Sequence, residues 1–537
     1  MRTRDFIAGL SVAGLMLPEA VAYSGIAGLP PERAILAAIA GCLAYAATGR
    51  SRFAIVSPTS SSAAILAASI GTLPGTGAEK MLFVTVLIGL VACLFLVASL
   101  MRLGALAAFV SRPVLGGFAF GLAITIVVRQ LPVLAGIPVD GRDIFHLLYA
   151  FFSAYSGWHL PSVAIGLAAL AALSALRRIP ALPGAFLVLV GGVAASYLLD
   201  LSSRGVAVVG PIDIALNWAF LQGIDRTQIL RLVPFAFPLA FILLAESWGT
   251  IRSLALRNGD TIDANRELGA LGAANFASAL VQGMPVGAGF SAGVANEAAG
   301  ATSRWSAVVA AIGVAVLIAI AGGYVAKLPH PVLAAVVISA LFHALNPAPL
   351  LRLWRLRRDW LVALAAAASV LVLGVLDGLL VAVALSFAIF IRRVAFSGVA
   401  QLGRLGDSHD FVDIARHEDA SEVPGIGIWR PTEALFFGNA ESVLGRVSAR
   451  ALGSRDLKAV VVSLEESIDF DTTALDALLE FDERMRKAGL TVQYARMHDQ
   501  VKDLLLAAAC GDAVARSSFS VEDAVNAVLQ QSKQAGG

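Results

Sequence analysis

The chain has 537 residues, of which 58% are hydrophobic and 15% are charged, and its formal net charge is +2. A soluble globular protein carries roughly 25% charged residues, so a purely soluble protein is excluded. No basic stripe is present, which argues against nucleic acid as a partner. Charges are sparse from about residue 5 to 395 and frequent from about 400 onward. The composition therefore predicts a polytopic membrane domain followed by a soluble domain.

Fourteen apolar segments can be counted in the first part of the chain. They lie near 5–27, 32–48, 57–71, 80–101, 106–130, 160–177, 182–200, 231–256, 263–281, 288–300, 303–326, 329–345, 359–376 and 377–395. A full span needs roughly 20 apolar residues, and the third and tenth segments are too short. Only Asp377-Gly378 separates the last two. We expect a transmembrane domain over residues 1–398, all α-helical, with 14 transmembrane elements.

The basic residues indicate the orientation of these elements. Arginine is more frequent in the even-numbered connections than in the odd-numbered ones. By the positive-inside rule, both termini are cytoplasmic and the protein is a multi-pass protein of the cell membrane, in bacteria the inner membrane.

Two pairs of residues predict an internal repeat. Glu19 and Glu246 are 227 positions apart (246 − 19), and Pro58 and Pro285 are also 227 apart (285 − 58). An odd number of spans in each half inverts the second copy relative to the first. We therefore expect a 7+7 inverted repeat, with repeat one at about 5–200 and repeat two at about 231–395.

The two short elements predict a binding site. Each begins at a proline- or glycine-rich break, at 57–62 and 285–292. Such breaks in matching positions of two halves are typical of the half-helices that form transporter sites. The N-terminal N–H groups of a helix lack intrahelical partners, and the macrodipole is positive there. Two such ends facing each other would attract an anion.

Two carboxyl groups lie inside apolar segments, Glu19 in the first and Glu246 in the eighth. A charged carboxylate at this depth is costly, so each residue faces a polar cavity, carries a proton, or is a neutral group that fixes helix packing. Glu246 is our candidate for proton coupling. Thr250 lies one turn later, so Glu246 and Thr250 also form a possible Na⁺ site, although Thr250 can equally bond back to its own helix.

Hydroxyl groups cluster at the two breaks. Ser60 and its neighbours Ser61 and Ser62 begin the third element, and Ser291 begins the tenth. Each serine is either an ordinary helix cap or an anion ligand. Tyr23, one turn after Glu19, either closes the site or is a packing aromatic.

Nothing in the chain points to an enzyme. No nucleophile elbow, P-loop or cluster of metal ligands is present, and the three cysteines lie far apart. We expect no metal and no cofactor other than a coupling ion, H⁺ or Na⁺.

The remainder of the chain predicts an α/β domain over 424–537, preceded by a linker at 399–423. Buried strands are expected at 425–429, 459–464 and 490–494, and helices at 439–451, 473–488, 498–510 and 520–531. Alternation of strands and helices indicates helices packed on a sheet.

The motifs along the chain resemble those of the SulP family of anion permeases, which includes sulfate and bicarbonate transporters, dicarboxylate carriers and prestin. The matching stretches are Asp5-Phe-Ile-Ala-Gly-Leu, Ala27-Gly-Leu-Pro-Pro31, Gly49-Arg-Ser-Arg52, Ser57-Pro-Thr, Glu246-Ser247, Glu267 to Asn275, Gly289-Phe-Ser291 and Val294 to Gly300. The tail, with Leu435 to Ala440 and Asp469 to Ala474, resembles a STAS domain.

This resemblance implies a core of elements 1–4 and 8–11, a gate of elements 5–7 and 12–14, and a homodimer with cytoplasmic STAS domains. Carried over to this chain, the family's substrate site comprises Glu19, Tyr23, Thr59, Ser60, Glu246, Phe290 and Ser291. Many members have Arg after the serine of element 10, where this chain has Ala292. A fixed positive charge is then missing from the anion site. The STAS domain could bind a cytosolic partner, and Thr472 or Thr473 is either a phosphorylation site or, as we favour, a helix N-cap.

Our prediction is a secondary active transporter of small anions (sulfate, bicarbonate or C4-dicarboxylate), proton-coupled and working by elevator-type alternating access, with the anion between half-helices 3 and 10. A Na⁺-coupled bicarbonate transporter and an uncoupled anion channel are the alternatives.

Overall fold

A computed structural model of the chain describes residues 3–72, 77–104, 112–139, 143–178, 184–211, 225–342, 344–395, 397–454 and 456–535. The chain divides into two compact units, Met1–Phe387 and Ala388–Gly537. Each is described by itself.

The first unit is helical, and its described elements follow the predicted order. The first half contains α1 (Thr3–Ala27), α2 (Pro31–Thr48), β1 (Val56–Ser57), α3 (Ser60–Thr72), α4 (Gly77–Leu100), α5 (Arg112–Ala135), α6 (Ile144–Ser153), α7 (Leu160–Leu176) and α8 (Gly184–Leu198). The second half contains α9 (Arg226–Asn258), α10 (Ala264–Leu280), β2 (Gly287–Ala288), α11 (Phe290–Ala298), α12 (Trp305–Val325), α13 (His330–Leu341), α14 (Ala348–Leu356), α15 (Trp360–Leu373) and α16 (Val375–Ala395).

Length and apolar composition identify the membrane helices. Among the described residues, six helices are long and apolar enough to cross a bilayer, namely α1, α4, α5, α9, α12 and α16. The helices α3, α7, α8, α13 and α15 are apolar but shorter, with 12 to 17 residues. The count of fourteen spans stays a prediction.

Helix packing follows the predicted repeat. In the repeat, α1 to α4 of the first half correspond to α9 to α12 of the second. The contact of α1 with α12 then has its counterpart in the contact of α9 with α4, and that of α2 with α12 has its counterpart in that of α10 with α4. Likewise α1 contacts α3 and α11, while α9 contacts α11 and α3. The two short helices therefore occupy equivalent places in the two halves.

Ties between loops hold the N-terminal end of this unit together. The buried Asp5 carboxylate accepts hydrogen bonds from the backbone N–H groups of Thr302 (2.7 Å) and Ser303 (2.9 Å) and from both hydroxyls. Arg52 donates to both carboxylate oxygens of Asp260, at 2.9 and 2.7 Å. These contacts join the start of α1 and the loop before β1 to loops of the second half.

The second unit is an α/β domain with a seven-stranded sheet. Its strands are β3 (Val399–Leu405), β4 (Phe411–Asp413), β5 (Ala420–Ser421), β6 (Ile426–Pro431), β7 (Ala459–Ser463), β8 (Thr491–Ala495) and β9 (Ser517–Ser518). Its helices are α17 (Ala440–Gly453), α18 (Thr472–Lys487), α19 (Asp499–Ala507), α20 (Gly511–Ala515) and α21 (Val521–Ala535). The strands β6 to β9 are parallel, and β3 adds to β6 in the antiparallel direction.

A polar group is buried within this α/β unit. Asp482 of α18 is 2% exposed and accepts hydrogen bonds from Arg516 (2.8 and 2.9 Å) and from the Tyr494 hydroxyl (3.1 Å). Burial, followed by the Asp482 charge, raises the pKa of Tyr494 well above its usual range, so the phenol remains a donor. The carboxylate is thus paired, as a buried charge requires.

Four expectations need correction. Residues 399–423, expected as a linker, contain β3, β4 and β5, because β3 completes the sheet by pairing with β6. The helices α6 and α14 lie in stretches that we expected to be connections, since α6 is apolar but has only 10 residues and α14 is amphipathic. The break between the last two apolar segments falls at Gly374, whose φ of +90° suits glycine, and not at Asp377.

The cap of α18 is Asp471, which accepts a hydrogen bond from the Ala474 N–H at 2.8 Å, and not a threonine. The start of the fifth segment, 106–111, lies outside the described residues, as do 182 and 183 at the start of the seventh.

Close packing of small residues joins α5 to α15. A Cβ atom at Gly117 would lie 2.0 Å from the Ala363 carbonyl oxygen, and one at Gly121 would lie 2.7 Å from the Ala367 oxygen. Small residues at four-residue spacing allow helix backbones in a membrane to approach closely.

Replacing Gly117 by alanine should therefore destabilise the first unit. The added methyl meets backbone that cannot rotate away, and overpacking of this kind costs about 1–3 kcal/mol. The matched control is Gly116→Ala on the same helix, where the new methyl meets nothing within 4 Å. Thermal unfolding in detergent should show a lower melting temperature for Gly117→Ala alone; equal values for both variants would contradict the packing.

Candidate functional site

Two prolines set the start of the two short helices. A proline restricts the preceding residue to extended backbone and offers no N–H group. Residues 56–57 before Pro58 are extended, and α3 begins at Ser60; after Pro285, residues 287–288 are extended, and α11 begins at Phe290. Each proline thus lies in the extended segment that separates a short helix from the residues before it.

The two extended segments pair with each other. β1 and β2 are antiparallel, with Val56 opposite Ala288 and Ser57 opposite Gly287. All four residues are buried. The pair places the starts of the two helices side by side: a Cβ atom at Gly289, the residue before α11, would lie 3.7 Å from the Thr59 methyl.

Side-chain amides satisfy the backbone around this pair. Asn275 of α10 accepts a hydrogen bond from the Val286 N–H (3.0 Å) and donates to the Val286 carbonyl (2.9 Å), as a neighbouring strand would. Asn296 of α11 donates to the Phe53 carbonyl at 3.1 Å. The Ser247 hydroxyl of α9 accepts from the Ala288 N–H at 2.9 Å. These contacts replace the water that a bilayer interior does not supply.

The Glu246 carboxyl group of α9 lies at the start of α3. One of its oxygens accepts hydrogen bonds from the hydroxyls of Thr59, at 3.0 Å, and Ser61. Thr59 also accepts from the Ser62 N–H, and the Ser62 hydroxyl is bonded to the Thr59 backbone and to Pro285. Glu246 is thus coupled directly to the N-terminal hydroxyls of one half-helix.

The start of α11 is open by comparison. Among the described residues, the backbone N–H groups of Phe290, Ser291 and Ala292 have no hydrogen-bond partner. Phe290 and Ser291 are exposed, whereas the Ala292 methyl is buried. A helix start with free N–H groups and exposed flanking side chains has the chemistry of an anion-binding site.

The helix α1 contributes the other predicted residues. Glu19 and Tyr23 are buried on α1, and Tyr23 lies near enough to both Glu19 and Glu246 to interact electrostatically with each carboxyl group. A cavity of about 310 Å³ lies along another part of α1; it is lined by Ser24, Gln130 and His330 among others, and its lining includes neither Glu19 nor Tyr23. The contacts of α1 with α3 and α11 bring Glu19 and Tyr23 to the same region as the helix starts.

Two of the predicted ligands, Ser60 and Thr250, make no side-chain hydrogen bond among the described residues. The Ser60 side chain has no hydrogen bond among the described residues, and its neighbours Ser61 and Ser62 make the contacts of this helix start. Thr250 is buried one turn after Glu246, and its methyl faces Gly293 of α11. The described hydrogen bonds give the Thr250 hydroxyl no partner.

Comparison with known proteins identifies the family. The sulfate permease family matches residues 3–367, and the STAS domain matches residues 418–524. A protein of Mycobacterium tuberculosis named as a probable sulfate transporter is 32% identical over 518 residues, covering 95% of this chain and 92% of the relative. The chain belongs to the sulfate permease family. It is a membrane-embedded anion transporter, not an enzyme, and its second unit carries a STAS domain.

Solved structures of this family share the fold. The murine solute carrier 26 family member A9, an anion transporter in its inward-facing state, has a TM-score of 0.87 at 20% identity, over 97% of this chain and 90% of that one. The transmembrane domain of the cyanobacterial bicarbonate transporter BicA has a TM-score of 0.63 at 20% identity, over 71% of this chain and 97% of that one.

Sequence reasoning missed the residues that hold this transporter's two breaks in place. Asn275 and Ser247 appeared in the family motifs without a role, and Asn296 lies within another. These residues could have been recognised in the sequence because each is a polar side chain within an apolar helix. Such a side chain in a membrane protein requires a hydrogen-bond partner. That each partner is backbone next to a helix break follows only from the fold.

Asn275→Leu should weaken the site although Asn275 is expected to touch no anion. The change leaves the Val286 N–H and carbonyl without partners in a water-free region, at about 1–3 kcal/mol for each lost partner. We expect a lower melting temperature and weaker anion binding, measured by isothermal titration on the same preparation. Ser174→Leu, at an exposed position of α7 remote from the breaks, is the control. Wild-type affinity in Asn275→Leu would remove Asn275 from the support of the site.

Proposed function

We propose that the chain is a proton-coupled secondary transporter for a small oxyanion, with the anion bound between the starts of α3 and α11. Sulfate is the first candidate substrate, because the mycobacterial relative is named a probable sulfate transporter; bicarbonate and C4-dicarboxylates are the others. The observation that carries the proposal is the free set of N–H groups at Phe290, Ser291 and Ala292, side by side with a second helix start.

The charge balance of the site supports proton coupling. Ala292 supplies no cation, so helix dipoles and hydrogen-bond donors have to stabilise the anion. An ionised Glu246 would repel an anion bound beside it, whereas a protonated Glu246 would not. Binding of a proton and of an anion then favour each other, and this coupling is reciprocal by thermodynamic necessity. Symport of the two follows if the site is exposed alternately on the two sides.

Helix packing supports an elevator-type movement. The helices α5, α7, α8, α13 and α15 pack mainly on one another, while α1, α2, α4, α9, α10 and α12 form a second group with the two short helices. The larger contacts between the groups come from α1, with α8 and α13, and from α3 with α5. We propose that the second group, the core, carries the site past the first, the gate. A cytoplasmic location of both termini, the bacterial inner membrane and a homodimer remain part of this proposal.

A sodium-coupled transporter is the second candidate. Glu246 and Thr250 lie one turn apart on α9, and the Thr250 hydroxyl has no hydrogen-bond partner among the described residues. Na⁺ prefers oxygen ligands. A cation bound here would neutralise Glu246 as a proton does. The two candidates therefore differ in the ion whose gradient drives uptake.

Substitutions at Ser291 test the anion site. Loss of a hydrogen bond to a charged group costs about 1.5–3 kcal/mol, so Ser291→Ala should raise the apparent KM for sulfate roughly 10- to 100-fold. Ser291→Trp should fill the space between the helix starts and abolish uptake. Radiolabelled uptake into proteoliposomes measures both, with Ser174→Trp as an exposed control on α7. Wild-type KM in both Ser291 variants would place the anion elsewhere.

Substitutions of two core carboxylates test coupling. Glu246→Gln removes the proton carrier and should abolish uphill uptake driven by a pH gradient, while exchange of labelled for unlabelled anion persists. Glu297→Gln is the control, because Glu297 pairs with Arg257 at 3.2 Å in a surface ion pair. Uptake is measured with pH and Na⁺ gradients imposed separately. Loss of a Na⁺-driven response in both Glu246→Gln and Thr250→Val, without any response to pH in the wild type, would favour sodium.

A further inference from the structure

The short helix α14 stands apart from the rest of the first unit. It connects α13 to α15 and contacts α5 and α15, yet none of its nine residues is buried. Leu351, Trp354 and Leu356 are 51%, 62% and 58% exposed. Burial inside the protein therefore contributes little to the stability of α14. Its apolar residues have to be explained by contacts with something outside the first unit.

The residues of α14 divide into two faces. Successive residues of a helix are rotated by about 100°, which places Arg352 and Arg355 on one face and Leu350, Leu353 and Trp354 on the other. An apolar face with aromatic residues opposite a basic face is typical of a helix that lies in the interface of a membrane. The Trp354 ring is 5.0 Å from that of Trp360, at the start of α15, and tryptophan prefers this interface.

Two more arginines follow at once. Arg357 and Arg358 form the turn into α15, and all four arginines are exposed. The turn holds Arg357 and Asp359 in the left-handed region, with φ of +51° and +56°, where side chains other than glycine are strained. A basic and an acidic residue are thus present at positions that glycine would fill more easily.

These arginines also lack partners within the protein. Among the described residues none of the four forms an ion pair, whereas Arg52 and Arg257 elsewhere in the unit pair with Asp260 and Glu297. Asp359 is the one acidic residue between positions 344 and 361. The segment therefore presents a concentrated positive charge with no protein carboxylate assigned to it.

We propose that Arg352, Arg355, Arg357 and Arg358, the α14 basic cluster, bind the headgroup phosphates of anionic phospholipids in the adjacent leaflet. Guanidinium groups bind phosphate oxygens in a bidentate manner, and the apolar face of α14 places the cluster at headgroup level. Phospholipid is the occupant because α14 lies between the apolar helices α13 and α15 of a membrane-embedded unit and the charges are complementary. On our proposed division of the helices, such lipids would hold the gate while the core moves.

The experiment measures lipid binding directly, so its outcome does not depend on the proposed transport function. The purified full-length chain is titrated with phosphatidylglycerol or phosphatidylcholine, and native mass spectrometry measures the lipid retained. The test variant replaces all four arginines by glutamine. A second variant replaces them by lysine, and a third changes only Arg352→Gln and Arg355→Gln in case the turn fails to fold. The control replaces four exposed cations of other segments by glutamine, namely Arg204, Arg226, Arg231 and Lys327.

The expected result is a preference of the wild type for phosphatidylglycerol that the quadruple glutamine variant loses. Each basic residue near an anionic surface contributes about a fivefold change in affinity, so the double variant should bind phosphatidylglycerol at least tenfold more weakly. The lysine variant should keep most of the preference, and 0.5 M salt should reduce it, because exposed charges are screened.

Two results would overturn the proposal. One is unchanged retention of phosphatidylglycerol in the folded glutamine variants; if these variants then lose association with another protein, the cluster is a protein-binding surface instead. The other is an equal loss of retention in the control, which would make the effect one of total charge and not of α14.

Discussion

The fold of the first unit depends on one constraint: backbone polar groups at membrane depth have to be satisfied by the protein itself. Two broken helices expose such groups, and the antiparallel pair of β1 and β2 satisfies part of them. Asn275, Ser247 and Asn296 satisfy more, from three different helices. The break in each half is therefore stabilised by its counterpart and by the helices around it. The inverted repeat thus supplies each broken helix with hydrogen-bond partners from the other half, without which backbone groups of the break would be unpaired.

The same constraint concentrates chemistry at the breaks. The polar groups of the two helix starts lie directly after this strand pair in the chain. At the start of α3, the hydroxyl groups of Thr59 and Ser61 donate hydrogen bonds to Glu246. At the start of α11, the backbone N–H groups of Phe290, Ser291 and Ala292 have no partner among the described residues. The two half-helices are thus equivalent in position but different in their contacts: a carboxyl group is bonded to one start, and the other is the anion site that we propose.

Packing elsewhere in the unit divides along the same lines. Loop ties such as Asp5 with Thr302 and Ser303 hold elements of the core together at the N-terminal end. Gate helices such as α5 and α15 instead pack through small residues at close distance. Both interfaces join elements of opposite halves of the repeat, so each group is a composite of the two halves. The grouping of the helices therefore follows the packing and not the order of the chain.

The sequence by itself determined the class of protein, the positions of the two breaks and the candidate carboxylates, because apolar runs, prolines and buried charges are local signals. It also placed three strands and four helices of the STAS domain from about 425 onward, but it missed the short elements β9 and α20. It did not reveal that residues 399–405 belong to the sheet, since antiparallel pairing with β6 is a long-range contact. Nor could it decide which serine contacts Glu246: Ser60, Ser61 and Ser62 are alike in sequence, and the direction of each side chain is fixed only when α3 packs against α9. Tertiary structure decided those contacts because they join residues about 185 positions apart, such as Ser61 and Glu246.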